Sequence, residues 1–465
     1  MTQDTTGHDL AELFAAHAVR TRLADLSPGA VAAAQTFLLD TLGVAIAGSS
    51  GANVHTVLDL ARQWGPGEEA TAWLGGQRMS AGSAAIVNAY LIHCLEFDCV
   101  HERAVVHPMA TLLSALFAWC EREAARGRPV RGDRFLAAMA VGVDTAGLLG
   151  VATDSALRFF RPATAGGFGA TAAIANLAGF DIVTTRSAFG HMYGQTSGNL
   201  QAHLEGSPLL GLQIGFNARG AIAATDLAAA GMQGPLDVFT GRYGYFKLIE
   251  QDVHPERVAA VLGQEWQIEK LSHKPFPSGR LTHGVVHGLR DLMATHGFAA
   301  EAVAEVVVRA PPLVLRLVGR PDMPDPASNY AKLCLPFVAG VFLARGRCDV
   351  PDFRGEALRD ADVHRYAALV RLEPDGNTDE NTLDPQAVTV RLKDGQALSI
   401  TLPRIYGHPA VPLTQAENEE KFLRCCRNAV PPVPPARAAR VQALVAGIAG
   451  LPDVAELVAA VAGPD

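Results

Sequence analysis

From Leu10 onward the chain alternates apolar, alanine-rich stretches with short polar breaks, and the apolar positions recur at helical spacing. Leu10 to Arg20 carries one such stripe. Ser27-Pro28 supplies an N-cap followed by proline at the first helical position, which opens a helix through Val31 to Leu42. The same pattern predicts helices over Ser80 to Leu95, Ala110 to Arg126, Asp133 to Leu149, Phe168 to Ala178 and Asn217 to Ala230. No sustained period-2 run interrupts them, so residues 1–270 read as an all-α domain. The apolar stretch from Phe135 to Ala152 is broken by Asp144 and several glycines, which marks a buried helix rather than a membrane span.

After about residue 270 the pattern changes. VAEVVVRAPP, Val303 to Pro312, and AVTVRLKDGQALSITLP, Ala387 to Pro403, are rich in β-branched residues. The second places Lys393-Asp394-Gly395-Gln396 between two alternating runs, a hairpin signal. Helices are predicted at Leu281 to His296 and Asn329 to Ala344, so residues 271–408 read as a smaller α+β domain. Thr414 to Asn428 and Ala436 to Val461 are helical in pattern again, and residues 409–465 are expected to return to the first domain. The expected fold class is α+β: a large helical domain with an inserted α+β lid domain.

Composition narrows the function classes. Of 465 residues, 49% are hydrophobic and only 18% charged, which implies extensive burial and an expected subunit interface. The net charge of -8 and the absence of a basic run offer no attraction to nucleic acid or to anionic membrane. Seven cysteines without a C-x-x-C pair read as reduced thiols, not a disulfide framework. The N-terminal stretch MTQDTTGHDLAELFAAHAV lacks the basic region and apolar core of a signal peptide, so the expected location is cytoplasmic.

Two polar stretches stand out. EFDCVHERAVVHP, Glu96 to Pro108, superficially resembles the zinc motif H-E-x-x-H, but His101 and His107 are six apart and point about 120° away from each other on a helix. No G-x-S-x-G elbow, P-loop or G-x-G-x-x-G is present. Neither a metal nor a nucleotide cofactor is therefore expected. What remains is acid/base chemistry: a carboxylate and a histidine held on one loop shift each other's pKa, with Asp98 and His107 the pair. LSHKPFPSGRLTH, Leu271 to His283, lies at the expected domain boundary and holds His273, Lys274, Arg280 and His283, with Pro275 and Pro277 stiffening the backbone. Cations at such a junction suit a small anionic carboxylate substrate, Arg280 by a bidentate grip and Lys274 as a point charge. His93, Asn88 and Tyr90 read as core hydrogen-bonding residues on the preceding helix. His101, Glu102 and Cys99 read as local supports, His191 and Tyr193 as a packed helix end, and Tyr406 and His408 as hinge contacts.

These two stretches, together with LLDTLGVAIAG, FGATAAIANLAGFD and ASNYAKLCLPF, resemble the MmgE/PrpD family over nearly the whole chain. That family includes 2-methylcitrate dehydratase, cis-aconitate decarboxylase and iminodisuccinate epimerase. The resemblance implies a helical domain with an inserted lid, a homodimer, an active site between the domains, and cofactor-free chemistry on di- or tricarboxylates. Carried over by motif, it implies catalytic roles for Asp98, His107, Lys274 and His283. Two positions depart from the family. Its histidine before the glycine-rich helix start falls on Phe160, or on Arg161 with a one-residue shift, which makes Arg161 a substrate-binding candidate. Its lysine in the stretch from Glu205 to Ala221 is absent, leaving Gln213 as a polar candidate there. The expected function is a dehydratase-like lyase working by proton abstraction beside a carboxylate. An epimerase using the same carbanion, or a non-catalytic binding protein on this fold, are the alternatives.

Overall fold

The computed structural model describes residues 9–463, so residues 1–8 of the N-terminal stretch read above lie outside the described residues. The helical domain is built around α1 (Pro28–Gly48), α2 (Ala81–His93), α3 (Pro108–Ala125), α4 (Gly132–Val151), α5 (Arg161–Ala178) and α6 (Leu209–Ala229). Ser27 caps α1 by accepting from the Ala30 amide at 2.9 Å, with Pro28 at the first position, as its sequence predicts. Small residues let these helices cross closely. A Cβ on Gly169 of α5 would stand 2.5 Å from the Gly142 carbonyl of α4, and one on Gly48 would stand 2.0 Å from the Leu91 carbonyl of α2. α1 and α4 are long and apolar enough to cross a membrane, and both are largely buried in this core.

Phe422, Cys425 and Cys426 of α9 (Gln415–Asn428), with Val441 and Leu457 beyond it, belong to the same hydrophobic cluster as Leu10 to Ile268. The tail therefore returns to the helical domain. A second cluster runs from Leu281 to Ile405. It is covered by a four-stranded sheet in the order β2-β1-β3-β4, where β1 is Val303–Ala310, β2 Val370–Pro374, β3 Gln386–Leu392 and β4 Ala397–Leu402. β1 pairs parallel with β2 and antiparallel with β3, and β3-β4 is the hairpin turning at Lys393 to Gln396, with Gly395 at φ 92°. α7 (His283–His296) and α8 (Leu335–Arg345) complete this domain.

Several helix predictions need correction. The stretch Asn329 to Ala344 is two helices, Ser328–Lys332 and α8, because Pro336 cannot continue a helix and restricts Leu335 before it. Ala436 to Val461 likewise divides into Pro435–Ala446 and Ala455–Ala462 around Gly447 to Pro452. α5 begins at Arg161, well before Phe168, since Pro162 fits a first helical turn.

Candidate active site

The two polar stretches meet through a short antiparallel pairing, Val100 with Ser272 and His101 with Leu271. This pairing sets the loop after α2 beside the loop that carries Lys274. Between the domains a cavity of about 70 Å³ opens, reached by His93, Glu96, Glu102, His107, His203 and Arg280. Val100, Val105, Phe160, Leu281, Leu317 and Leu333 supply much of the rest of its wall.

Three buried lysines shape the turn that follows α2. Lys332 Nζ donates to the Cys94 carbonyl at 3.0 Å, Lys274 Nζ to the Glu96 carbonyl at 3.1 Å, and Lys421 Nζ to the Phe97 carbonyl at 3.1 Å. They come from the helix Ser328–Lys332, the inter-domain loop and α9, so three distant segments secure one turn. Cations there satisfy carbonyls left over at a helix C-terminus and complement its dipole. Glu96 has φ 52°, a left-handed conformation costing a glutamate about 1–2 kcal/mol. Lys274 holds both its carbonyl and its carboxylate, the latter at 3.1 Å. The turn sends the chain back so that Asp98 faces His93.

Asp98 Oδ2 lies 3.1 Å from His93 Nδ1 and 3.3 Å from His107 Nδ1. The His93 Nε2 is 3.2 Å from Glu96 Oε1, and Lys274 Nζ is 3.9 Å from Asp98 Oδ1. The two imidazoles meet edge to face, centroids 5.3 Å apart. A second strained residue sets His107: Val105, at φ 51°, closes the tight loop bridged by His101 and Val106. His107 then precedes Pro108, at the N-cap position of α3.

The electrostatics separate the two histidines. Burial disfavours a charged His93, but Asp98 and Glu96 outweigh it and hold the ring up at about 10. It is an imidazolium at neutral pH. Burial, followed by the Lys274 ammonium, pulls His107 below the ordinary histidine value, despite Asp98. It is neutral at neutral pH. Burial opposes ionisation of Asp98, yet His93 and then His107 carry its carboxyl well below the usual range. Lys274 and His93 do the same for Glu96 against its own burial. The ligand atoms of His93, Asp98 and His107 lie within 4.8 Å of one another, a set of the size a metal ion uses. An ammonium 3.9 Å from Asp98 and a protonated His93 make it a poor cation site.

Of the residues proposed from sequence, the structure brings together Asp98, His107 and Lys274. The others need correction. His283 is buried outside this cavity, stacked on Phe276 at 3.9 Å with Nε2 3.3 Å from the Ser278 carbonyl. Arg280 reaches the cavity and commits one donor of each nitrogen, to Glu102 at 2.8 Å, Tyr406 O at 2.7 Å and Ile405 O at 2.9 Å. These bonds tie the domains together at the cavity wall. Arg161 is fully buried and forks onto Glu250 at 2.7 and 2.9 Å, with Thr153 and the Ala104 carbonyl taking the rest. Gln213 fastens the Asn199 backbone and does not line the cavity. His101 is a support, its Nε2 3.1 Å from Gln267 and its pKa pulled by burial down to about 4.

Residues missed from sequence are His93, Glu96, His203, Lys332 and Lys421. The spacing in HCLEFD carried a signal, since His93, Glu96 and Asp98 straddle the end of a helix. His203 lines the cavity, and burial together with neighbouring Arg320 brings it down to about 4. Arg320 donates to the His203 carbonyl at 3.0 Å, while its Nε and Nη1 are buried without hydrogen-bond partners.

Comparison with known proteins gives the family. Residues 12–257 match the MmgE/PrpD N-terminal domain and residues 276–446 the MmgE/PrpD C-terminal domain. The chain is 26% identical over 429 residues to the cis-aconitate decarboxylase of Mus musculus, covering 89% of this chain and 86% of that one. It is 27% identical over 431 residues to the Homo sapiens cis-aconitate decarboxylase, covering 89% and 87%. A cis-aconitate decarboxylase-like protein oryM of Aspergillus oryzae is 32% identical over 233 residues, 47% of this chain and 48% of that one.

Proposed function

The chain belongs to the MmgE/PrpD family, and on that premise we propose that it is a cofactor-free, dehydratase-like lyase acting on a small dicarboxylate. The observation that carries this reading is His107, a neutral imidazole in the cavity wall seated on the buried Asp98 carboxylate. With Nδ1 facing the Asp98 carboxylate at 3.3 Å, the opposite nitrogen, Nε2, is the one to remove a proton from the carbon next to a substrate carboxylate. The electron pair moves into that carboxylate as an enediolate, which the His93 imidazolium in the cavity wall stabilises, while Lys274 behind it holds Glu96 in place. The protonated His107 then passes its proton to the β-hydroxyl, which leaves as water with the C–O electron pair, and the alkene forms. A group that starts neutral suits abstraction before elimination; decarboxylation needs a protonated donor for the carbanion it leaves.

Charge balance limits the substrate. Asp98 and Glu96 offset His93 and Lys274, and Glu102 offsets Arg280. Arg320, behind His203, is a guanidinium near this cavity whose Nε and Nη1 are buried without hydrogen-bond partners. Arg320 beside largely apolar walls suits a small dicarboxylate. His203, a second neutral imidazole on the cavity, favours epimerisation as the second reading. A panel of hydroxy- and aminodicarboxylates followed by ultraviolet absorbance and by proton NMR in deuterium oxide separates them. Elimination gives an absorbing alkene, epimerisation gives deuterium wash-in without one, and neither with any substrate overturns the proposal. Turnover unchanged by a chelator is the expected result.

A further inference from the structure

A second cavity, of about 300 Å³, is walled by Pro275 and Phe276 of the loop whose Gly279 and Arg280 wall the first. Its charged lining is entirely basic: Arg290 of α7, Arg347 just after α8, and Arg424 of α9. His283 and His287 join them, and no carboxylate lines the cavity. Each arginine keeps unused donors. Arg290 commits Nε to Asp291 at 3.1 Å, and Arg347 commits Nη1 to Asp352 at 3.1 Å. Arg424 commits Nη2 to the Pro275 carbonyl at 2.5 Å and sits 3.6 Å from Asp349, yet its Nε is buried without a hydrogen bond. The acids are shared: Asp291 also pairs with His287 at 3.2 Å, and Asp352 also with Arg345.

His283 adds the selective element. It is 1% exposed, its Nε2 faces the Ser278 carbonyl at 3.3 Å, and its Nδ1 is buried without a partner. A carbonyl facing Nε2 fixes the proton there, which leaves Nδ1 as an acceptor. We propose that this cavity is a binding site for inorganic phosphate, gripped by Arg290, Arg347 and Arg424, with the phosphate hydroxyl donating to His283 Nδ1. Arginine forks match a tetrahedral oxyanion, and an acceptor among them suits one that carries an O–H. Because Arg424 also holds the Pro275 carbonyl, the site is joined mechanically to the loop carrying Lys274. The proposal stands apart from the reaction assigned to the first cavity.

The test is calorimetric titration of the intact chain with inorganic phosphate, sulfate and succinate at pH 7 and constant ionic strength. Saturable phosphate binding is expected, with sulfate weaker for want of a hydroxyl. Arg290→Gln and Arg347→Gln, both half-exposed positions, should each weaken phosphate roughly tenfold or more. His107→Ala should leave phosphate affinity unchanged, since its cavity is the other one. No binding, sulfate or succinate binding as tightly as phosphate, indifference to both arginine changes, or loss in His107→Ala would each overturn the assignment. Unchanged circular dichroism and melting temperature in each variant show that it reports on binding rather than folding.

Discussion

At His107 the case turns on which protonation state the ring adopts before substrate arrives. Burial and Lys274 favour the neutral ring, and Asp98 fixes its orientation. His107→Ala is expected to lower turnover by about 10²–10⁴-fold, the range for a lost general base, with little change in melting temperature. In steady-state assays kcat/KM should hold at neutral pH and fall only below about pH 6.5, the ordinary imidazole value, because the folded ring protonates later than a free one. His93 behaves oppositely in a stability measurement. Its folded pKa, raised to about 10, exceeds the unfolded value, so its stabilisation is complete below about pH 6.5 and is lost as pH rises towards 10. Urea denaturation across that window should show stability falling in the wild type and a flatter profile in His93→Gln. Arg320→Gln is expected to raise KM more than it lowers kcat if its unused donors meet a substrate carboxylate.

At the scale of elements, the turn after α2 depends on lysines that reach it from far along the chain. Lys421 also pairs with the fully buried Asp40 at 2.6 Å. Lys421→Met should destabilise by about 3–5 kcal/mol, because it strands a buried carboxylate as well as freeing the Phe97 carbonyl. Lys421→Met with Asp40→Asn should recover much of that in the urea midpoint. Such contacts explain what could be read from the chain and what could not. Asp98, His107 and Lys274 sit in short polar stretches against an apolar background, so residue type and local spacing expose them. Arg161 looked equally suited to an anion, but its partner Glu250 is 89 residues away and nothing local announces the pair. Gln213 and His283 failed in the same way, one engaged with Asn199 and the other turned to Phe276. Helix positions were legible from periodicity, and the errors fell at breaks such as Pro336 and at the starts of α5 and α6, which begin earlier than predicted.

Across the whole molecule, the site exists only where the helical domain, the α+β domain and the returning tail converge. The Val100–Ser272 pairing, the Arg280 fork onto Glu102, Ile405 and Tyr406, and Lys421 from α9 all cross that junction. The tail's helices were legible from their alanine-rich periodicity, whereas the convergence itself depends on contacts between remote segments. Arg280→Lys, which cannot reproduce the fork, should therefore lower kcat and raise KM together by loosening the junction. The most direct test of the central claim follows hydroxydicarboxylate turnover by proton NMR in deuterium oxide, wild type beside His107→Ala. The account predicts alkene formation in the wild type and its loss in a variant that melts at the same temperature. Alkene formation at the wild-type rate in His107→Ala would contradict it.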